Sequence, residues 1–172
     1  MEFRLARAPE REQHTHLEAL ARAEGWDLEE TSTEAALALA GRVLGSAWAR
    51  TLGESALHRR LPYALDLSDG LTLEGQVDLL RELPGGGAEL LLYKDGARPA
   101  QGAAAHAQEL AALRLAAGSL LPGDARVRVG VLFLQEPEPD FLEPAAGDLE
   151  TLAGGLREAA RARLSSQGET GS

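Results

Sequence analysis

Leu61-Pro62-Tyr63-Ala64-Leu65-Asp66-Leu67, then Leu71-Thr72-Leu73-Glu74-Gly75-Gln76-Val77-Asp78-Leu79-Leu80-Arg81, then Ala88-Glu89-Leu90-Leu91-Leu92-Tyr93-Lys94 form the stretch on which the reading of this chain turns. Apolar residues recur there with period two, the signature of strands whose successive side chains point to opposite faces. Ser68-Asp69-Gly70 and Pro84-Gly85-Gly86-Gly87 interrupt the runs with residues that favour tight turns. The expectation is a three-stranded meander over 61–67, 71–81 and 88–94. The same alternation supplies the plainest account of Thr72, Glu74, Gln76 and Asp78, which is the solvated face of a half-exposed strand. Lys94, ahead of Asp95-Gly96, would by itself be an ordinary strand-end residue.

Downstream, an Ala-rich segment from Ala100 or Gln101 to Ala117 reads as a helix ended by Gly118, and Leu121-Pro122-Gly123-Asp124 as a loop. Arg126 to Gln135, with Val127, Val129, Val131 and Phe133, reads as a largely buried fourth strand. Glu136 to Glu143 is acidic and Pro-containing and is expected to be irregular, and Asp148 to Leu164 is expected to be the last helix. Upstream, Pro9 to Gly25 reads as a helix with acidic residues at its positive end. A second helix is expected from the cap Thr31-Ser32-Thr33-Glu34 to Thr51. The order predicts an α/β fold with a mixed central sheet flanked by helices, in which a helix crosses over between strands three and four. The length suits one domain, 1–164, with 165–172 as a flexible tail. No internal repeat is visible.

Composition narrows the function classes. The absence of cysteine excludes disulfides and thiolate metal sites. Met1 to Ala8 lacks the apolar core of a signal peptide and no apolar run approaches a membrane span, so the cytoplasm is the default expectation. The 27 acidic and 17 basic side chains give a net charge of −10. Binding a phosphate backbone relies on basic surface, so DNA binding is expected to be weak or absent, with Arg50, His58, Arg59 and Arg60 as a candidate local basic strip. Gly85 to Gly87 lacks the Lys-Ser/Thr of a phosphate-binding loop.

Leu61-Pro62-Tyr63, Gly75-x-x-Asp78, Tyr93-Lys94, the run His106 to Leu113, and Leu132-Phe133-Leu134 follow one another in an order that resembles the PD-(D/E)XK nuclease superfamily. Within it, the pattern is similar to the nuclease domain that ends AddA- and RecB-type helicase-nucleases. The resemblance runs from about His14 to Leu134. It implies a restriction-endonuclease-like core and hydrolysis of phosphodiesters with Mg²⁺ or Mn²⁺. A divalent cation polarises the phosphoryl group and activates water, and hard cations take oxygen ligands. On this resemblance Asp78 and Lys94 are the catalytic candidates, Asp78 and His14 are metal ligands, and Tyr93, Gln108 and Glu109 are substrate contacts. Glu74, on the face of Asp78 in a regular strand, is a candidate relocated ligand.

The departures are specific. The strand-start Glu of the family is Arg60, the helical Gln is Glu109, the second helical Tyr is Leu113, and a first-helix Gly is Glu10. The second acidic ligand, two residues before the Lys, is Leu92, which has no lone pair to offer a metal. Asp95 points away from the face of Lys94 in an extended strand. His14 and His16, two apart on a helix, do not share a face and each reads more simply as a surface side chain. The resulting expectation is a degenerate, catalytically impaired nuclease-like domain with a scaffolding role or a protein partner in DNA repair or recombination. Two rivals stand beside it: an active metal-dependent exonuclease using Asp78, Lys94, His14 and Glu74 or Glu109, and a generic α/β interaction domain.

Overall fold

The computed structural model describes residues 15, 19, 30–67, 70–123, 125–142 and 149–168. The elements are α1 (Glu30–Gly45), α2 (Ala47–Arg50), β1 (Leu57–Asp66), β2 (Thr72–Leu83), β3 (Gly87–Lys94), α3 (Ala107–Leu120), β4 (Arg126–Phe133), β5 (Pro139–Leu142) and α4 (Leu149–Gly168), with short 3-10 turns at Thr51–Glu54 and Gly102–His106. Thr15 and Ala19 are helical, while the rest of the helix expected over 9–25, including His14, lies outside the described residues. No helix among the described residues is long and apolar enough to cross a membrane.

Contacts divide the chain into two compact units. One comprises Ser55–Lys94, Pro99–Leu132 and Pro139–Ser172, and the other Met1–Glu54, Asp95–Arg98 and Phe133–Glu138. In the second, the helix expected to run unbroken to Thr51 stops at Gly45. Ser46, with extended backbone, restarts it by accepting the Ala49 N–H at 3.0 Å, because a serine hydroxyl competes for main-chain donors and favours a cap over a helix interior. Carboxylates order the connecting segments of this unit: Glu138 accepts the Ala47 N–H at 3.2 Å and Glu136 the Arg98 N–H at 3.4 Å.

The first unit carries the mixed sheet, in the order β1-β2-β3-β4-β5. β1, β2 and β3 form the expected antiparallel meander, with Leu61 opposite Val77, Tyr63 opposite Gly75, and Leu79 opposite Leu91. Gly85 (φ 95°) and Gly86 (φ 87°) take the left-handed conformations that the β2–β3 turn needs. α3 crosses over between β3 and β4, which are sheet neighbours as expected. Its helix continues through Gly118 to Leu120, and α4 runs to Gly168, four residues into the segment read as a tail. Leu67, Ala112 and Leu156 form a buried cluster against which Tyr63, Leu65, Leu71 and Leu73 pack, so α3 and α4 cover the β1–β2 hairpin. The deeper core holds Val77, Leu79, Leu90, Leu91, Leu110 and Leu113, each at most 2 % exposed. Burying a side chain of this size stabilises the fold by roughly 1.5–3 kcal/mol.

Two further features differ from the sequence reading. β1 begins at Leu57, so His58, Arg59 and Arg60 are strand residues, and His58 pairs with Glu82 at 2.6 Å instead of presenting a free basic charge. β5 occupies part of the segment read as irregular, pairing Val129 with Leu142 and Gly130 with Phe141. Pro139 is tolerated because β5 is an edge strand. A Cβ at Gly130 would lie 2.6 Å from the Asp140 carbonyl oxygen and 2.9 Å from Phe141. That carbonyl is main chain and cannot swing aside, so Gly130→Ala is expected to push β5 off β4 and cost about 1–3 kcal/mol, the range of overpacking. Urea denaturation measures it.

Candidate active site

The site is built around Asp78, where the sheet ladder is interrupted on both sides. The β1–β2 register passes from Arg59–Leu79 to Leu61–Val77 without pairing Arg60 to Asp78, and the β2–β3 register begins at Leu79–Leu91. Arg60 is also the one non-glycine residue with positive φ (50°) among those described, a conformation disfavoured for a residue with a Cβ. Continuing the β2–β3 register by one residue sets Asp78 opposite Leu92. Its carboxylate fills the interrupted ladder, because Oδ2 accepts the Tyr93 backbone N–H at 2.8 Å. Asp78 therefore spends part of its acceptor capacity holding β3 in place.

Next to it, β3 lays Leu92 into an open cleft of about 540 Å³ between the β1–β2 hairpin and helices α3 and α4. Leu92 is 7 % exposed. Glu74, Gln76, Gln108 and Glu109 supply polar groups to the cleft, and Tyr63 lies across one wall. The glycine three residues before Asp78 has a steric reason here: a Cβ at Gly75 would sit 2.4 Å from the Tyr63 hydroxyl oxygen, so the ring folds over the bare backbone of its cross-strand partner.

Lys94 reaches Glu109 on the first turn of α3, with Nζ 2.5 Å from Oε2, while His106 Nδ1 lies 3.0 Å from Oε1. Burial alone would raise the Glu109 carboxyl, but the hydrogen bonds and charges of Lys94 and His106 outweigh it and hold it below the ordinary carboxylate range. Burial, aided by the negative charge of Glu109, pushes the Tyr63 hydroxyl up. The arrangement is a Glu109 carboxylate held between the Lys94 ammonium and the His106 imidazole.

Of the residues singled out from sequence, Glu74, Gln108 and Glu109 share the cleft, Lys94 joins it through Glu109, and Asp78 and Tyr93 are tied by a hydrogen bond. Tyr93 itself is 38 % exposed and does not line the cleft. His14 lies outside the described residues. Glu74 is four residues from Asp78 along the extended β2, a span of roughly 13 Å at ~3.3 Å per residue, too far for the two to hold one ion. Read from sequence, His106 is a plain helix-surface residue, and Tyr63 is part of the informative stretch without a role in the site. The spacing of His106 and Glu109, three apart on one helical face, was the available signal.

A family model described as the PD-(D/E)XK nuclease superfamily matches residues 2–169. The chain belongs to that superfamily. No curated protein matches it. PD-(D/E)XK nucleases typically use Mg²⁺ or Mn²⁺, and the donors around Asp78 among the described residues do not fit such an ion. No group of three or more His, Cys, Asp or Glu side chains among the described residues is arranged to hold a metal. Position 92 offers a methyl surface, and of the two Glu109 oxygens one faces the Lys94 ammonium and the other His106 Nδ1.

Proposed function

We propose that this is a degenerate PD-(D/E)XK nuclease domain of the AddA/RecB type, a single domain over 1–164. Its metal centre is incomplete, and it is kept in the cytoplasm as a scaffold or partner-binding element of DNA repair or recombination. The observation that carries the reading is Leu92, buried opposite Asp78 where a second carboxylate would be needed. With one carboxylate in place of two, cation affinity and water activation both fall. Three further features support it: the Asp78 carboxylate is engaged by the Tyr93 N–H, the Lys94 ammonium is neutralised by Glu109, and the net charge of −10 opposes encounter with a polyanion.

Incubation with linear single- and double-stranded DNA in Mg²⁺ or Mn²⁺ is expected to give no cleavage above that of Asp78→Ala. Robust degradation that Asp78→Ala abolishes would overturn the reading.

A further inference from the structure

Glu109 stands between Lys94 and the cleft. Its side chain lines the cleft and is 49 % exposed, whereas Lys94 and His106, at 29 % and 21 %, are more covered and do not line it. Each carboxylate oxygen has its own donor from a different element. Lys94 Nζ, at the end of β3, lies 2.5 Å from Oε2, and His106 Nδ1, ahead of α3, lies 3.0 Å from Oε1. An ionised carboxylate only accepts, so Nδ1 carries the proton and donates. The carboxyl is held below the ordinary range and stays an anion at neutral pH. Glu109 also sits in the first turn of α3, whose positive end favours negative charge. These donors therefore already hold one oxyanion, and that oxyanion is part of the chain. A phosphate group presents the same kind of acceptor oxygens. Tethering gives the Glu109 carboxylate a high effective concentration, so it outcompetes a free anion. The contact is also separable from the fold. Glu89, with 6 % of its side chain exposed, is locked between guanidinium groups of two strands, but Glu109 is half exposed, and exposed pairs contribute little to stability.

We propose that Glu109 is an autoinhibitory anion: its carboxylate occupies an oxyanion site formed by Lys94 and His106, and a phosphate group binds there when that carboxylate is displaced or removed. The inference rests on the non-cleaving reading above and deepens it. Beside the incomplete metal centre at Leu92, it places a second and separable block on the side where phosphate would be held.

The test is amide NMR of the full chain titrated with inorganic phosphate and, separately, with a single-stranded DNA dodecamer. In Glu109→Gln, phosphate is expected to give saturable shifts at the amides of Lys94, His106 and Gln108. Its affinity should be roughly tenfold above that of the unaltered chain, the scale of two exposed ion contacts no longer competing. Adding Lys94→Ala to Glu109→Gln should abolish those shifts. Glu109→Asp, one methylene short of Lys94, should also bind phosphate more tightly than the unaltered chain, and it carries the test if Glu109→Gln loses its dispersed spectrum. The dodecamer separates the two sources of a phosphate group. Shifts at the same amides in Glu109→Gln assign the site to nucleic acid, and shifts from inorganic phosphate alone assign it to a free phosphate. Unchanged affinity in both Glu109 variants, or shifts that survive Lys94→Ala, would overturn the autoinhibition proposal and leave the non-cleaving reading standing. Metal-dependent cleavage by the unaltered chain that Asp78→Ala abolishes would overturn that reading, whatever the phosphate titration gives.

Discussion

Leu92→Asp is expected to give the chain a metal-dependent stability that it lacks. Position 92 lies opposite Asp78 on the continued register, where cross-strand Cβ atoms stand about 5 Å apart. The new carboxylate would replace a side chain that is 7 % exposed. Without metal, the variant should lose about 2–4 kcal/mol, from the missing leucine packing and the buried charge. Two close carboxylates repel and each raises the other's pKa. A divalent cation relieves that repulsion and binds only the folded state, so Mn²⁺ at about a hundred times its dissociation constant should restore roughly 2.7 kcal/mol. Thermal melts with and without Mn²⁺ measure the difference. Identical metal dependence in parent and variant would mean that position 92 is not the lesion.

Glu89→Ala is expected to be strongly destabilising. Glu89 is 5 % exposed and lies between two guanidinium groups: Arg81 Nη1 at 3.2 Å, from its cross-strand partner on β2, and Arg128 Nη1 at 3.2 Å, from β4. Arg128 is further held over the Phe141 ring, 3.7 Å from its centroid, so the network joins four strands. Removing the carboxylate leaves Arg128 free to turn to solvent, but it takes from Arg81, 8 % exposed, its buried carboxylate partner, while the Ser55 hydroxyl stays 2.9 Å from Nε. Breaking a buried ion pair by removing one partner costs about 3–5 kcal/mol. Urea denaturation should show that loss, and the paired replacement Arg81→Met with Glu89→Leu should recover most of it, because the charge is then removed together with its partner. A loss under about 1 kcal/mol, the scale of an exposed pair, would show that Arg81 finds water.

The meander and the crossover were legible because period-two patterning and glycine-rich turns are local signals, and β1, β2, β3, α3 and β4 all form where those signals lie. β5 was not legible. Its four residues, opening on Pro139, carry no alternation long enough to read, and the strand exists because Gly130 allows the Asp140 main chain to come close. The break between α1 and α2 was hidden by a helical apolar pattern that continues across Gly45-Ser46. In the site, Gly75, Asp78, Leu92 and Lys94 stood out through motif order. The Lys94–Glu109–His106 group did not, because Lys94 and Glu109 meet only through the packing of α3 beside β3. Asp78 looked like an open ligand. Its bond to the Tyr93 N–H follows from where the ladder ends, a property of register that spacing does not carry.

Calorimetric titration of the unaltered chain with Mn²⁺ tests most directly the proposal that the metal centre is incomplete. No saturable heat from a site that depends on Asp78 is expected. A stoichiometric binding isotherm that disappears in Asp78→Ala would contradict it.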